Sequence, residues 1–72
     1  MRNSTDPLGN MIRDARERAK IPQRELARRL DLDNKTVCRW ERGKLRPNLR
    51  AVGRLCAVLG LSPGEVVRLA GG

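Results

Sequence analysis

The chain has 72 residues and a net charge of +8, from 16 Lys and Arg against 8 Asp and Glu, with no His, two Cys and a single aromatic residue. This length makes one small domain that buries only about 60–65% of its unfolded surface, so its margin of stability is thin. No run approaches the roughly twenty apolar residues of a membrane span, the first ten residues have no apolar h-region and predict no secretory signal, and without His or a CxxC pair the common zinc patterns are excluded.

Residues 1–6 read as a flexible polar arm, residues 7–70 as the domain and residues 71–72 as a tail. Asp6-Pro7 is a helix start signal, with Asp as N-cap and Pro at the first helical position. Leu8, Ile12, Ala15 and Ala19 then recur at helical spacing and predict a first helix over Pro7 to Ala19. Gly9 near its start costs some stability but permits close packing. A second helix runs from Gln23 to Leu30, with Leu26, Ala27 and Leu30 inward and Arg24, Arg28 and Arg29 outward. Pro22 precedes it and offers no side-chain cap.

After the turn Asp31-Leu32-Asp33, Asp33 caps a third helix that reaches Arg42. Leu32 and Val37 occupy the two positions of a hydrophobic staple. Val37 and Trp40 point inward, and Gly43 ends the helix as its C′ residue. Lys44 to Pro47 form a basic loop. Asn48 caps a fourth helix to Leu59, with Leu49, Val52, Leu55, Cys56 and Leu59 on one face, and Gly60 stops it. Ser62-Pro63-Gly64-Glu65 reads as a capping box, with Leu61 and Val66 as its staple, and opens a short fifth helix to Ala70. The expected fold is all-α, a compact five-helix bundle with no strand.

The charge is unevenly placed. Residues 34–54 hold Lys35, Arg39, Arg42, Lys44, Arg46, Arg50 and Arg54 against one acid, Glu41. A cluster of one sign on so small a domain points to a polyanion partner. Membrane phospholipid competes for that role, but no segment pairs a basic face with exposed Trp, Phe and Leu. The stretch from Gln23 to Gly43, QRELARRLDLDNKTVCRWERG, reads as two helices joined by a tight turn. The second exposes Asn34, Lys35 and Arg39 together. Asn can bond adenine at two atoms, and Lys or Arg can donate to guanine O6 and N7 in the major groove.

Other classes fit less well. Trp40 alone cannot build the stacked aromatic surfaces of RNA or single-strand binders, and it is assigned to the core. No nucleophile has an evident base, and the acids show no pairing suited to acid–base catalysis, so no enzyme is expected. No cofactor or metal is implied. Cys38 and Cys56 are expected as reduced thiols in a prokaryotic or phage cytoplasm, since a disulfide would be rare there.

The segments LGNMIRDARERA, QRELARRL, TVCRWERGKLRP and LRAVGRLCAVLGLSPGEVV together resemble the lambda-repressor-like, or Xre/Cro-type, helix-turn-helix family over residues 8–70. QRELA followed at this spacing by RWERG and a downstream Pro is the specific part of the match. The resemblance implies a third helix lying in the major groove. It places Asn34, Lys35 and Arg39 on base edges, with Cys38 beside them either against a thymine methyl or in packing. It gives Gln23 a phosphate contact. Arg42, Lys44 and Arg46 look like phosphate clamps. Glu41 would pair with Arg16 on the first helix as a structural bridge.

The function implied is a sequence-specific regulator of transcription on double-stranded DNA, a repressor, in the cytoplasm and on the nucleoid. The alternative is an antitoxin or other interaction module whose main partner is a protein. A homodimer on a palindromic site is consistent with the family. The set Leu61, Val66, Val67 and Leu69 could serve that contact or could close the core. Three departures from the family pattern touch local geometry. Lys20 and Asp31 stand at helix ends where Gly is frequent, and Pro22 removes a cap.

Overall fold

The computed structural model describes residues 6–71. Five helices make up the fold: α1 (Pro7–Arg18), α2 (Gln23–Arg29), α3 (Asn34–Glu41), α4 (Leu49–Leu59) and α5 (Pro63–Gly71). They form a bundle with Cα extents of 27 × 27 × 20 Å. Among the described residues there is no strand, and no helix is long and apolar enough to cross a membrane. Residues 1–5 of the expected arm and residue 72 of the tail lie outside the described residues.

Helix starts follow local chemistry. The Asp6 carboxylate accepts from the Gly9 N–H at 2.9 Å, and Pro7 supplies the fixed φ of the first turn. The Asn48 side chain accepts from the Ala51 N–H at 2.8 Å and opens α4 in the same way. Pro22 opens α2 with no side-chain bond, as its chemistry requires. Asp33 departs from expectation. It holds N-cap backbone angles, but its carboxylate makes no capping bond. Its backbone carbonyl takes the Thr36 N–H at 3.0 Å, so the start of α3 is held by main chain alone.

Helix ends share one device. After α1, α2 and α3 the chain passes through a left-handed residue, Lys20 (φ 59°), Asp31 (φ 59°) and Gly43 (φ 74°). At each end the next N–H reaches back to a carbonyl of the last turn: Ile21 to Arg16 at 3.1 Å, Leu32 to Ala27 at 2.8 Å, and Lys44 to Arg39 at 2.9 Å. This is the Schellman closure, which satisfies carbonyls the helix would otherwise leave open. Gly60 (φ 69°) ends α4 likewise, with Leu61 bonded to Cys56 at 3.1 Å. The departures at Lys20 and Asp31 are therefore residue types only, because the backbone keeps the shape that Gly favours.

One apolar core joins all five helices: Leu8 and Ile12 from α1, Leu26 and Ala27 from α2, Val37 and Trp40 from α3, Val52, Leu55 and Cys56 from α4, and Val66 from α5. Trp40 is a core residue, as its solitary status suggested. Both thiols are free, and burial raises the pKa of Cys56, which holds it as an inert apolar group. Of the C-terminal apolar set, Val66 is fully buried, and Leu61 and Leu69 pack partly against the core. Only Val67 stays exposed, so this set mainly closes the domain. Two expectations fail at the edges. Leu49 is 76% exposed, and Leu32, expected in a staple, is 40% exposed. Leu49 is the first residue of α4, where a side chain leans back past the helix end and beyond the layer of Val52 and Leu55.

Gly9 explains how α1 sits so near α3. A Cβ built there would lie 2.7 Å from the Trp40 carbonyl oxygen and 2.8 Å from that of Glu41. Both obstacles are backbone and cannot rotate away. Gly9→Ala is therefore expected to cost about 1–3 kcal/mol, lowering the midpoint of thermal unfolding followed by circular dichroism by at least about 5 °C. An unchanged midpoint would mean that the helices part without cost. Lys20→Gly should act the other way. Relief of the left-handed strain outweighs the added chain entropy, for a net gain of about 0.5–1 kcal/mol in urea unfolding.

Candidate nucleic-acid interface

Successive residues of an α-helix turn by about 100°, so α3 divides into two arcs. Asn34, Cys38, Lys35 and Arg39 span roughly 140° of one side. Thr36, Trp40, Val37 and Glu41 occupy the other. Exposure follows this division. Asn34, Lys35 and Arg39 are exposed and Cys38 is half-buried, whereas Val37, Trp40 and Glu41 are buried and Thr36 is half-buried. The four residues expected to meet base edges thus lie side by side on the outward arc. Cys38, at its centre, is the least accessible of them.

Beyond α3, Arg42, Lys44 and Arg46 are all exposed, while Pro47 is buried and anchors the loop. The closure at Gly43 reverses the chain and sets these cations beside the end of α3. Arg54 is one of the basic residues counted over positions 34–54. Its guanidinium donates to the Leu30 carbonyl at 3.2 Å, so it serves the end of α2. On α2, Arg28 and Arg29 are tied to Glu25 at 2.6 and 2.9 Å. Hydrogen bonds from Arg28 and then Arg29 hold the Glu25 carboxyl down at a pKa of about 2.

Behind the outward arc lies a buried carboxylate. Glu41 has no solvent exposure. Arg16 grips it with two bonds, Nε to Oε2 at 2.6 Å and Nη2 to Oε1 at 3.1 Å. The same guanidinium donates from Nη1 to the Ile21 carbonyl at 2.9 Å, which fastens the α1–α2 connection. Two further donors reach Oε1, Gln23 Nε2 at 3.0 Å and Arg13 Nε at 3.4 Å. The Arg16–Glu41 bridge therefore stands as a geometric fact, within a larger cluster than the pair.

This cluster changes the reading of Gln23. Its amide nitrogen already donates one bond to Glu41, so the carboxylate orients the side chain. A donor facing outward from that amide would be its second N–H. Arg13 had no role in the sequence reading. Its signal was spacing, since Arg13 and Arg16 are three apart and share a helix face. Among the described residues, no group of three or more Cys, Asp or Glu side chains could hold a metal ion.

A family model described as a helix-turn-helix domain matches residues 7–69. The crystal structure of apo-HppE resembles this chain with a TM-score of 0.76 and 31% sequence identity, over 89% of this chain. The match covers 36% of that chain, so the present chain spans about a third of its length. The chain has no match among curated proteins.

Removing one partner of a buried ion pair strands the other charge. Glu41→Ala is expected to cost about 3–5 kcal/mol, most of the stability of so small a domain, and to leave it largely unfolded in circular dichroism at 37 °C. The double change Arg16→Met with Glu41→Met should recover much of that loss, because the apolar pair carries no desolvation cost. A Glu41→Ala domain as stable as the parent would contradict this account.

Proposed function

Because the chain belongs to the helix-turn-helix domain family, we propose that it binds double-stranded DNA in a sequence-dependent way, with α3 in the major groove, and regulates transcription. The observation that carries this reading is the division of α3. One arc holds the packing residues, and the other offers Asn34, Lys35, Cys38 and Arg39 to the outside. An exposed α-helix of this width fits the roughly 12 Å major groove.

The roles follow from chemistry. Asn34 pairs with adenine, and Lys35 and Arg39 donate to guanine N7 and O6. Cys38, low on the arc, lies against a thymine methyl. Arg42, Lys44, Arg46 and the second amide N–H of Gln23 hold phosphates and fix the register. The net charge of +8 supports a polyanion partner. Two copies on half-sites one turn apart need about 34 Å centre to centre. A domain 27 Å across fits that spacing without overlap, which supports a palindromic site. Occupancy of a promoter by such a pair excludes other proteins, so the regulator acts as a repressor, in the cytoplasm and on the nucleoid.

Fluorescence-anisotropy titrations test the roles, with the cognate site first found by selection from a random duplex library. Lys35→Ala or Arg39→Ala should weaken the cognate site by about 1–3 kcal/mol and scarcely affect scrambled duplexes. Lys44→Ala or Arg46→Ala should weaken both alike. Equal losses across both duplexes for Lys35→Ala would remove it from base reading. With five cations at the duplex, Lys35, Arg39, Arg42, Lys44 and Arg46, log affinity should fall against log salt with a slope of about −4 to −5. A flat salt response would count against duplex DNA as the partner.

A further inference from the structure

A groove of about 470 Å³ runs between α3 and α4, within the ~300–1,000 Å³ range of clefts that seat ligand groups. Its floor includes Leu30 and Trp40, and its walls include Leu32, Leu45 and Ala51. Four large apolar side chains are left exposed among the described residues: Leu32, Leu45, Leu49 and Val67. Two of them, Leu32 and Leu45, line this groove. Arg46, Arg50 and Arg54 border it, and no Asp or Glu lines it. The groove thus joins two exposed leucines to three arginines, an apolar cleft with a basic border.

Three occupants can be weighed. Duplex DNA would use the arginines but leave the leucines in water. Moreover, Thr36 and Trp40, which line the groove, lie on the arc of α3 opposite the reading residues. A second copy in a two-fold contact would set an arginine rim against an arginine rim on two chains of +8 each, a like-charge juxtaposition. An acidic segment bearing aliphatic side chains satisfies both features, with carboxylates on the rim and leucines in the cleft.

We infer that the α3–α4 groove is a docking site for an acidic, leucine-bearing amphipathic segment of a partner protein. The segment seats aliphatic side chains against Leu32 and Leu45, and its carboxylates meet Arg50 and Arg54. The site needs no duplex, and it stands or falls apart from the DNA reading.

The test uses the full chain without DNA and three fluorescein-labelled synthetic helical peptides. One alternates Glu and Leu faces, one has Lys for every Glu, and one has Ser for every Leu. The Glu/Leu peptide should bind saturably in anisotropy, the Lys peptide should not bind, and the Ser peptide should bind at least about tenfold more weakly, the step one lost 1.4 kcal/mol gives. Leu45→Ser and Arg50→Glu, both at exposed positions, should each weaken the Glu/Leu peptide about tenfold or more while circular dichroism stays unchanged. Amide shifts on peptide addition should centre on residues 45–54. Equal binding of the Ser peptide, or indifference to Leu45→Ser, overturns the proposal by reducing it to charge alone. Sedimentation showing a dimer that Leu45→Ser dissociates gives the groove to a second copy and also overturns it. So would duplex-induced shifts centred on the groove in place of the reading arc.

Discussion

One carboxylate organises this domain. Glu41 sits at zero exposure near the end of α3, and taking a charge out of water is costly unless donors surround it. The donors come from elsewhere in the chain: Arg16 and Arg13 from α1, and Gln23 from the first position of α2. The charge is satisfied only when all three helices are in place. A buried pair of this kind specifies geometry more surely than it adds stability. Here the geometry specified is the orientation of α3, with one arc against the core and the other free. Gly9 acts at the same joint, by letting α1 meet the carbonyls of Trp40 and Glu41 without an intervening side chain.

Much of the fold was legible because its signals are local. Asp6-Pro7 and Asn48 carry their own capping acceptors, and the structure uses both. The apolar spacing of α1, α2 and α4 follows from a period that any segment displays by itself. The failures fall where the outcome depends on what lies opposite. Leu49 fits the pattern of α4, but it stands at the helix edge, where no layer faces it. Leu32 fits a staple in sequence and stays largely in solvent. Lys20 and Asp31 kept the backbone of a glycine, because the returning N–H bonds of Ile21 and Leu32 outweigh the local preference of the residue.

The site divided in the same way. The outward placement of Asn34, Lys35 and Arg39 followed from helical period once Val37 and Trp40 were read as core. The partnership of Glu41 with Arg16 came from family likeness, and no local pattern announces a contact between residues 25 apart. The Gln23–Glu41 bond and the approach of Arg13 had no such guide. A polar residue at a helix start reads as a surface group until a buried acceptor is known to lie beside it. For the same reason Arg54 counted only as one charge of the basic cluster, although it closes the end of α2.

The split of α3 into two disjoint arcs has an evolutionary consequence. Positions 37, 40 and 41 bear the weight of the fold, and a change there is felt through the whole bundle. Positions 34, 35 and 39 are exposed and form a short, nearly unconstrained alphabet. Polar replacements among them leave packing untouched, so a lineage can rewrite what its third helix meets while keeping the same scaffold and the same stability. Change on that outward arc then costs the scaffold little, and sequence divergence between relatives should concentrate on those three letters.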